Sequence, residues 1–287
     1  MANSEVAIEM ANAVVEEAAP AFNETHKIAT YAPPNSRKTE QIRYLIRAYG
    51  QENVGIVSGE RGLGTIRGDV HPDMVFNVET WEQAQQSFGW AKERYGRPGT
   101  WICVDGASNI MTMAANRHFS AADTAMEAII MYGANKLNDA EYKGIKAYQR
   151  FVTNKGGVLN LDTMAIYGMI GREAERFWGA WKGGPWNLYV NFWQEKCGQS
   201  DRERVLPWGP DCPGKMGLAA IKGCFDYILM LGKDSKGTLV ANCRADPTFA
   251  ITKMREDRCL GIEIPDEIQD FRVDTFVEML TPNTGGK

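Results

Sequence analysis

Ala32-Pro33-Pro34-Asn35-Ser36-Arg37-Lys38-Thr39 is the stretch on which the fold turns. It lies between a short apolar run, Lys27 to Tyr31, and a segment from Thr39 to Tyr49 in which Ile42, Leu45 and Ile46 recur at helical spacing. Gly50 supplies the helix stop. A loop that joins a strand to a helix and ends in Lys-Thr matches the last two positions of the phosphate-cradling pattern GxxxxGK[ST]. That pattern needs backbone N–H groups turned inward at a helix N-terminus, a lysine for the outer phosphates and a hydroxyl for magnesium. Lys38 and Thr39 meet the last two needs, whereas Ala32 and Arg37 stand where the pattern has glycine. A residue with a Cβ in the left-handed conformation costs roughly 1–2 kcal/mol, so two such losses are expected to weaken phosphate binding by a factor of about ten or more. Arginine at the second position is the more serious change. Its side chain either crowds the pocket beside Lys38 or offers charge-assisted hydrogen bonds to a phosphate.

Outward from this loop, short apolar runs alternate with helix-like stretches, which predicts an α/β fold with a mainly parallel central sheet flanked by helices. Val54 to Ser58 reads as a second strand that ends in Gly59-Glu60-Arg61-Gly62, and Met74 to Val78 as a third. Thr80 and Gln83 form a capping box that opens a helix to about Tyr95. Thr100 to Val104 is apolar on both faces and runs directly into Asp105, as expected of a strand buried mid-sheet. A helical insertion is expected over about 117–184, with helices at Ala121 to Tyr132, Asp139 to Val152 and Leu161 to Trp181. Strands at Trp186 to Trp193 and Tyr227 to Leu231 follow, the second leading through a hairpin to Thr238 to Arg244, with a helix at Met216 to Cys224 between them and a final helix near Asp266 to Met279.

Asp105 at the end of a buried strand, Glu60 at the end of the second and Gln194 at the end of the Trp186 to Trp193 strand trail the Lys-Thr loop in order. With APPNSRKT (32–39), VSGERGL (57–63), WICVDGASNI (101–110), LYVNFWQ (188–194), GPDCPGK (209–215) and TKMREDR (252–258), the chain resembles the RecA-like P-loop ATPases of bacteriophages, including single-strand annealing recombinases. The resemblance covers about residues 25–280. It implies a RecA-like P-loop NTPase fold in which Ser36, Arg37, Lys38, Thr39 and Asp105 bind nucleotide, with Thr39 and Asp105 on magnesium. Glu60 would then orient the attacking water and Gln194 sense the γ-phosphate. Lys253, Arg255 and Arg258 would be candidates for reaching a neighbouring subunit's nucleotide. The basic and aromatic groups Arg202, Arg204 and Trp208 in the loop after Gln194 suit the phosphates and bases of a single DNA strand.

Two functions follow. The glycine losses, together with a near-neutral body and many aromatics in the second half, favour a fold kept as scaffold with weak or no ATPase activity, serving as a structural or assembly component, even of the virion. The alternative is an active magnesium-dependent ATPase that binds single-stranded DNA in phage recombination or replication. ATP and Mg2+ are the cofactors of the second reading and absent from the first. The partners are copies of the same chain or other phage structural proteins, or single-stranded DNA.

Composition narrows the field. The 287 residues carry a net charge of −4, which gives no global attraction to nucleic acid, so any DNA contact must be local. The six cysteines are widely spaced and show no CxxC pair, which predicts reduced thiols. No run approaches a membrane span and the N-terminus lacks a secretory pattern, so the expected location is the host cytoplasm, or the virion if assembled there, with no membrane partner. Residues 1–24 hold five glutamates and no lysine or arginine; Val6, Met10 and Val14 recur at helical spacing, predicting an acidic amphipathic extension. The main domain is expected over 25–265, with 266–287 as a terminal helix and tail.

Overall fold

The computed structural model describes residues 25–60, 62–133, 146–155, 158–196, 207–244, 250–255 and 264–280. The expected extension over 1–24 lies outside them.

Strand β1, Lys27–Ala32, is buried at all six positions and divides its side chains between two cores. Ala29 and Tyr31 enter one, Ile28 and Ala32 the other, as the period of two requires. The same division holds in β4, Trp101–Asp105, where Ile102 and Val104 face the first core and Trp101 and Cys103 the second. A strand apolar on both faces is stable only with a layer on each side, and helices supply both. Helix α1, Lys38–Tyr49, buries Ile42, Leu45 and Ile46 in the second core. On the first core lie α2, Trp81–Tyr95, opened by the Thr80/Gln83 capping box, and the beginning of α3, Ala107–Gly133.

The remaining strands are β2 (Val54–Ser58), β3 (Val75–Asn77), β5 (Val152–Lys155), β6 (Val158–Leu161), β7 (Asn187–Lys196), β8 (Trp208–Pro210), β9 (Tyr227–Lys233), β10 (Leu239–Asn242) and β11 (Glu267–Gln269). Helices α4 (Thr163–Lys182), α5 (Gly214–Cys224) and α6 (Val273–Leu280) complete the set, with a single turn at Lys146–Gln149. The main sheet runs β11-β10-β9-β1-β7-β4-β2-β3, with β8 paired to β7. From β9 to β3 every pairing is parallel, and β10, β11 and β8 are antiparallel additions. The fold is therefore the expected α/β class with a mostly parallel sheet between helices. One consequence controls function: β7 is inserted between β1 and β4. The loop after β1 and the acidic end of β4 thus open on the same edge and flank the same strand.

The insertion differs from its sequence reading. A continuous α3 begins right after Gly106 rather than at Ala121, because Ile110, Met111 and Ala114 bury fully against the first core. Strands β5 and β6 pair antiparallel in the gap between two expected helices, where no strand was expected. These four-residue strands are too short for alternation to compete with the helical pattern on both sides. Near the chain end, 267–269 joins the sheet beside β10, so the last helix starts at Val273, later than its predicted start. Its first backbone N–H donates to the buried Gln41 Oε1 at 3.0 Å, tying α6 to α1.

Most of the large aromatics of the second half are core, although Tyr167 and Trp193 are exposed. Trp178, Trp181, Trp186 and Tyr189 have no exposure, and the Trp181 ring centroid lies 5.4 Å from Phe88 and 5.7 Å from Trp186. No helix among the described residues is long and apolar enough to cross a membrane. Replacing Trp181 by alanine is expected to cost about 3–5 kcal/mol, read as a fall in the urea midpoint with the slope unchanged; a loss under about 1 kcal/mol would contradict this packing.

Candidate phosphate and metal site

Of the two replaced glycine positions, Ala32 ends β1 in extended backbone and carries none of the expected left-handed strain, whereas Arg37 does. Arg37, in the place of the second glycine, adopts φ 59° and ψ 27°, the left-handed conformation, and immediately precedes α1. Its side chain is 54 % exposed, with Nε 3.7 Å from Glu40 Oε2, and both residues line the rim of the cavity described below. The backbone therefore bears the strain of the missing glycine. Inside the loop, Lys38 Nζ donates to the carbonyls of Ala32 and Pro33, each at 3.0 Å. The Ser36 hydroxyl donates to the Pro33 carbonyl at 2.6 Å. These bonds hold the loop curled around its lysine.

Thr39 and Asp105 meet as the resemblance implied. The Thr39 hydroxyl lies 3.2 and 3.1 Å from the two Asp105 carboxylate oxygens. Asn191, a polar residue inside an otherwise apolar strand, completes the junction. Its Nδ2 donates to Asp105 Oδ1 at 3.1 Å and to the Lys38 carbonyl at 3.2 Å, and its Oδ1 accepts from Thr30 Oγ1 at 2.7 Å. Thr30 and Tyr189 share a further bond of 3.1 Å beneath it. Sequence reasoning missed Asn191; the signal was its isolation in the apolar run LYVNFW.

Glu60 reaches the same place from β2. Gly59 N donates to the Asp105 carbonyl at 2.8 Å, holding the ends of β2 and β4 together. Both glycines at this contact are required. A Cβ on Gly106, which has φ +80°, would stand 2.9 Å from Glu60 N, and one on Gly59 would stand 2.7 Å from the Gly106 carbonyl. A cavity of about 250 Å³ results, lined among others by Ser36, Lys38, Thr39, Glu60, Asp105 and Asn191. Glu60 Oε1 is buried there without a hydrogen-bond partner among the described residues.

The electrostatics show a site short of positive charge. Burial raises the Asp105 carboxyl above its usual range, only partly offset by the Asn191 and Thr39 hydrogen bonds and by Lys38. Burial, and then the Asp105 charge, likewise raise Glu60, against a hydrogen bond from Trp193. Burial lowers Lys38, although both acids act the other way. A cation bearing phosphates would relieve all of this: hard oxygen donors, a hydroxyl and one or two carboxylates, suit magnesium, and the lysine suits a phosphate. No group of three or more His, Cys, Asp or Glu among the described residues converges as a ligand set for another metal.

Other sequence expectations fare differently. Gln194 does not take part. Strand β7 runs on to Lys196, with Gln194 opposite Pro210 of β8, so the period of two turns Asn191 and Trp193 to the cavity and Gln194 to the other face. Asn191 holds the polar position that Gln194 was expected to fill. Trp208 lies under the Lys196 ammonium, 4.0 Å from its ring centroid, so one ring face is covered. Lys253 Nζ donates to the Lys222 and Phe225 carbonyls at 2.8 and 2.7 Å, and Arg255 pairs with the buried Asp226 at 3.0 Å. Asp226 just precedes β9, so both lie at the opposite edge of the sheet from this chain's own cavity. Arg202, Arg204 and Arg258 fall outside the described residues.

Comparison with known proteins adds little to this geometry. No family model matches the chain, and no curated protein matches it either. Among solved structures it is similar to the crystal structure of the RadB recombinase, at 13% sequence identity and a TM-score of 0.35, over 75% of this chain and 79% of that one. A likeness of that extent carries no weight for function. The α/β class rests on the sheet itself, in which β7 is inserted between β1 and β4 and the central pairings are parallel.

Two expectations follow. Arg37→Gly relieves the left-handed strain and should stabilise the protein by about 1 kcal/mol net of chain entropy, measured by thermal unfolding, without weakening anion binding at the loop; a net destabilisation would contradict a strained backbone at Arg37. For pH, a carboxyl raised by folding binds its proton more tightly when folded, so its contribution to stability is present at low pH and lost as pH rises through the raised value. The apo protein should therefore gain stability relative to Glu60→Gln as pH falls from neutral into the carboxylate range. A difference between the two that is flat with pH would sink the assignment.

Proposed function

We propose that the protein is a magnesium-dependent nucleoside triphosphatase whose site is the cavity between the 32–39 loop, Glu60 and Asp105. The observation that carries this reading is the Thr39 hydroxyl held on the Asp105 carboxylate beside a lysine-centred loop.

The roles follow from position. Lys38 would exchange its two loop carbonyls for phosphate oxygens, and the N–H groups at the start of α1 add the favourable end of a helix. Thr39 and Asp105 would hold the magnesium ion, which supplies charge neutralisation on the phosphates. Asn191 keeps Asp105 and the Lys38 carbonyl in register, so loop and acid act as one piece. Glu60, with a free buried oxygen and a raised affinity for protons, is placed to orient water and accept its proton. Burial first, and then the neighbouring Asp105 carboxylate, raise the proton affinity of the acceptor.

The competing reading, a scaffold without nucleotide chemistry, loses part of its support, because Trp178, Trp181, Trp186 and Tyr189 are buried in the protein's own core, whereas Trp193 and Tyr167 remain exposed. We infer that the activity serves strand handling in phage recombination or replication, on the ordered sequence motifs alone. A service by Lys253 or Arg255 to a neighbouring subunit's nucleotide would require their present contacts to open.

Calorimetry with Mg-ATP tests the site. Wild-type protein should bind only with magnesium present, Lys38→Ala should not bind, and Thr39→Ala should lose the magnesium dependence. Glu60→Gln should bind but turn over about 100-fold or more slowly. Absence of magnesium-dependent binding by wild-type protein would overturn the reading.

A further inference from the structure

On the far side of Glu60 from the phosphate loop is a second, larger hollow that the proposed reaction leaves unused. It occupies about 630 Å³, opens to solvent, and lies at the C-terminal ends of β2 and β3 against α3. Its apolar walls are Leu63, Val70, Val75, Val78 and Met113, and its floor is the Ser58-Gly59-Glu60 backbone. Hollows of several hundred Å³ with apolar walls and a few polar groups are the usual form of a small-molecule site.

Two polar groups at this hollow are uncommitted among the described residues. The Asn77 carboxamide lines it and makes no side-chain hydrogen bond. Arg67 lines it, is exposed and forms no ion pair. The nearby arginines are spent otherwise: Arg43 and Arg47 both close on Asp69, at 2.8 and 3.0 Å. Asp69 is thus taken by two guanidinium groups, and Arg67 shares the hollow with the Glu60 and Glu79 carboxylates without forming an ion pair to either among the described residues.

We propose that this hollow is a second nucleotide site, taking one nucleoside monophosphate unit, base inward and phosphate on Arg67. Branched aliphatic walls with a thioether accept the flat face of a base, since bases lie between apolar side chains as well as aromatic ones. The Asn77 amide offers one donor and one acceptor group, the pairing a base edge presents. A guanidinium at the rim matches a phosphate in charge and shape. The unit is either a free nucleotide or one residue of a single strand, which are the same chemistry at this site. Because Glu60 lines both this hollow and the phosphate cavity, occupancy bears on the position of Glu60. That coupling rests on the role proposed above for Glu60; the binding itself does not.

Binding is measured on the full chain by calorimetry with AMP, CMP and a short thymidine oligonucleotide, in wild-type and Lys38→Ala protein. At least one ligand should bind the Lys38→Ala protein, where the phosphate loop is disabled. Arg67→Ala and Asn77→Leu, both at exposed positions, should each weaken that binding roughly tenfold, and Val75→Phe should block it by filling the hollow. Mg-ATP affinity should stay within about twofold in Arg67→Ala, a change well under the tenfold that 1.4 kcal/mol gives. Mononucleotide binding as tight as the oligonucleotide's identifies a free nucleotide, and binding of the oligonucleotide alone identifies a strand. The proposal is overturned if no ligand binds Lys38→Ala protein. It is equally overturned if Arg67→Ala and Asn77→Leu weaken Mg-ATP itself, which would make the hollow part of one continuous nucleotide site. If mononucleotide binds normally but Mg-ATP does not bind at all, the triphosphatase reading fails while this one stands.

Discussion

Asp105 is a carboxylate buried to 2 % exposure in the centre of a sheet, and the edge of the molecule that carries chemistry is organised around satisfying it. A buried charge without partners is too costly to keep, so it must be hydrogen-bonded, neutralised or paired. The Thr39 hydroxyl and the Asn191 amide meet that need from two different elements, α1 and β7. The requirement joins the loop after β1 to the end of β4 across an intervening strand. The loop is consequently held by the sheet as well as by its own sequence.

This explains how an arginine is tolerated at a glycine position. Left-handed backbone at Arg37 is unfavourable by an amount comparable to one or two hydrogen bonds. The Thr39–Asp105 contact, the Asn191 bond to the Lys38 carbonyl and the two lysine bonds inside the loop together outweigh it. The side chain then lies half-exposed at the cavity rim beside Glu40. Strain at a single residue stored beside a binding site is a common arrangement when the surroundings over-determine the conformation.

Burial on both sides of the sheet sets the stage for that junction. Tryptophans on the first core and α1 with α6 on the second leave only the strand ends open. The polar groups that water would otherwise satisfy are confined to that edge, together with the two hollows on either side of Glu60. Gly59 and Gly106 allow β2 and β4 to close there, and the resulting proximity of Asp105 adds to burial in raising the proton affinity of Glu60.

Much of this was legible in the chain. Alternation and apolar runs gave β1, β2 and β4 within a residue, the Thr80/Gln83 box gave the start of α2, and Lys38, Thr39, Glu60 and Asp105 were identified from type and order. Those features are local, because backbone period, capping and strand-end chemistry depend on near neighbours. What the tertiary structure alone decided is everything set by contacts between distant segments. The length of β7 depends on β8, which carries it past Trp193 and turns Gln194 away, so Asn191 became the polar partner of Asp105. The start of α3 likewise follows from packing against distant segments that no local window contains. Arg37 is the clearest case. Its residue type determined that the loop would be strained, but the place of its side chain, half-exposed at the cavity rim beside Glu40, was decided by the bonds that hold Lys38 and Thr39 from across the sheet.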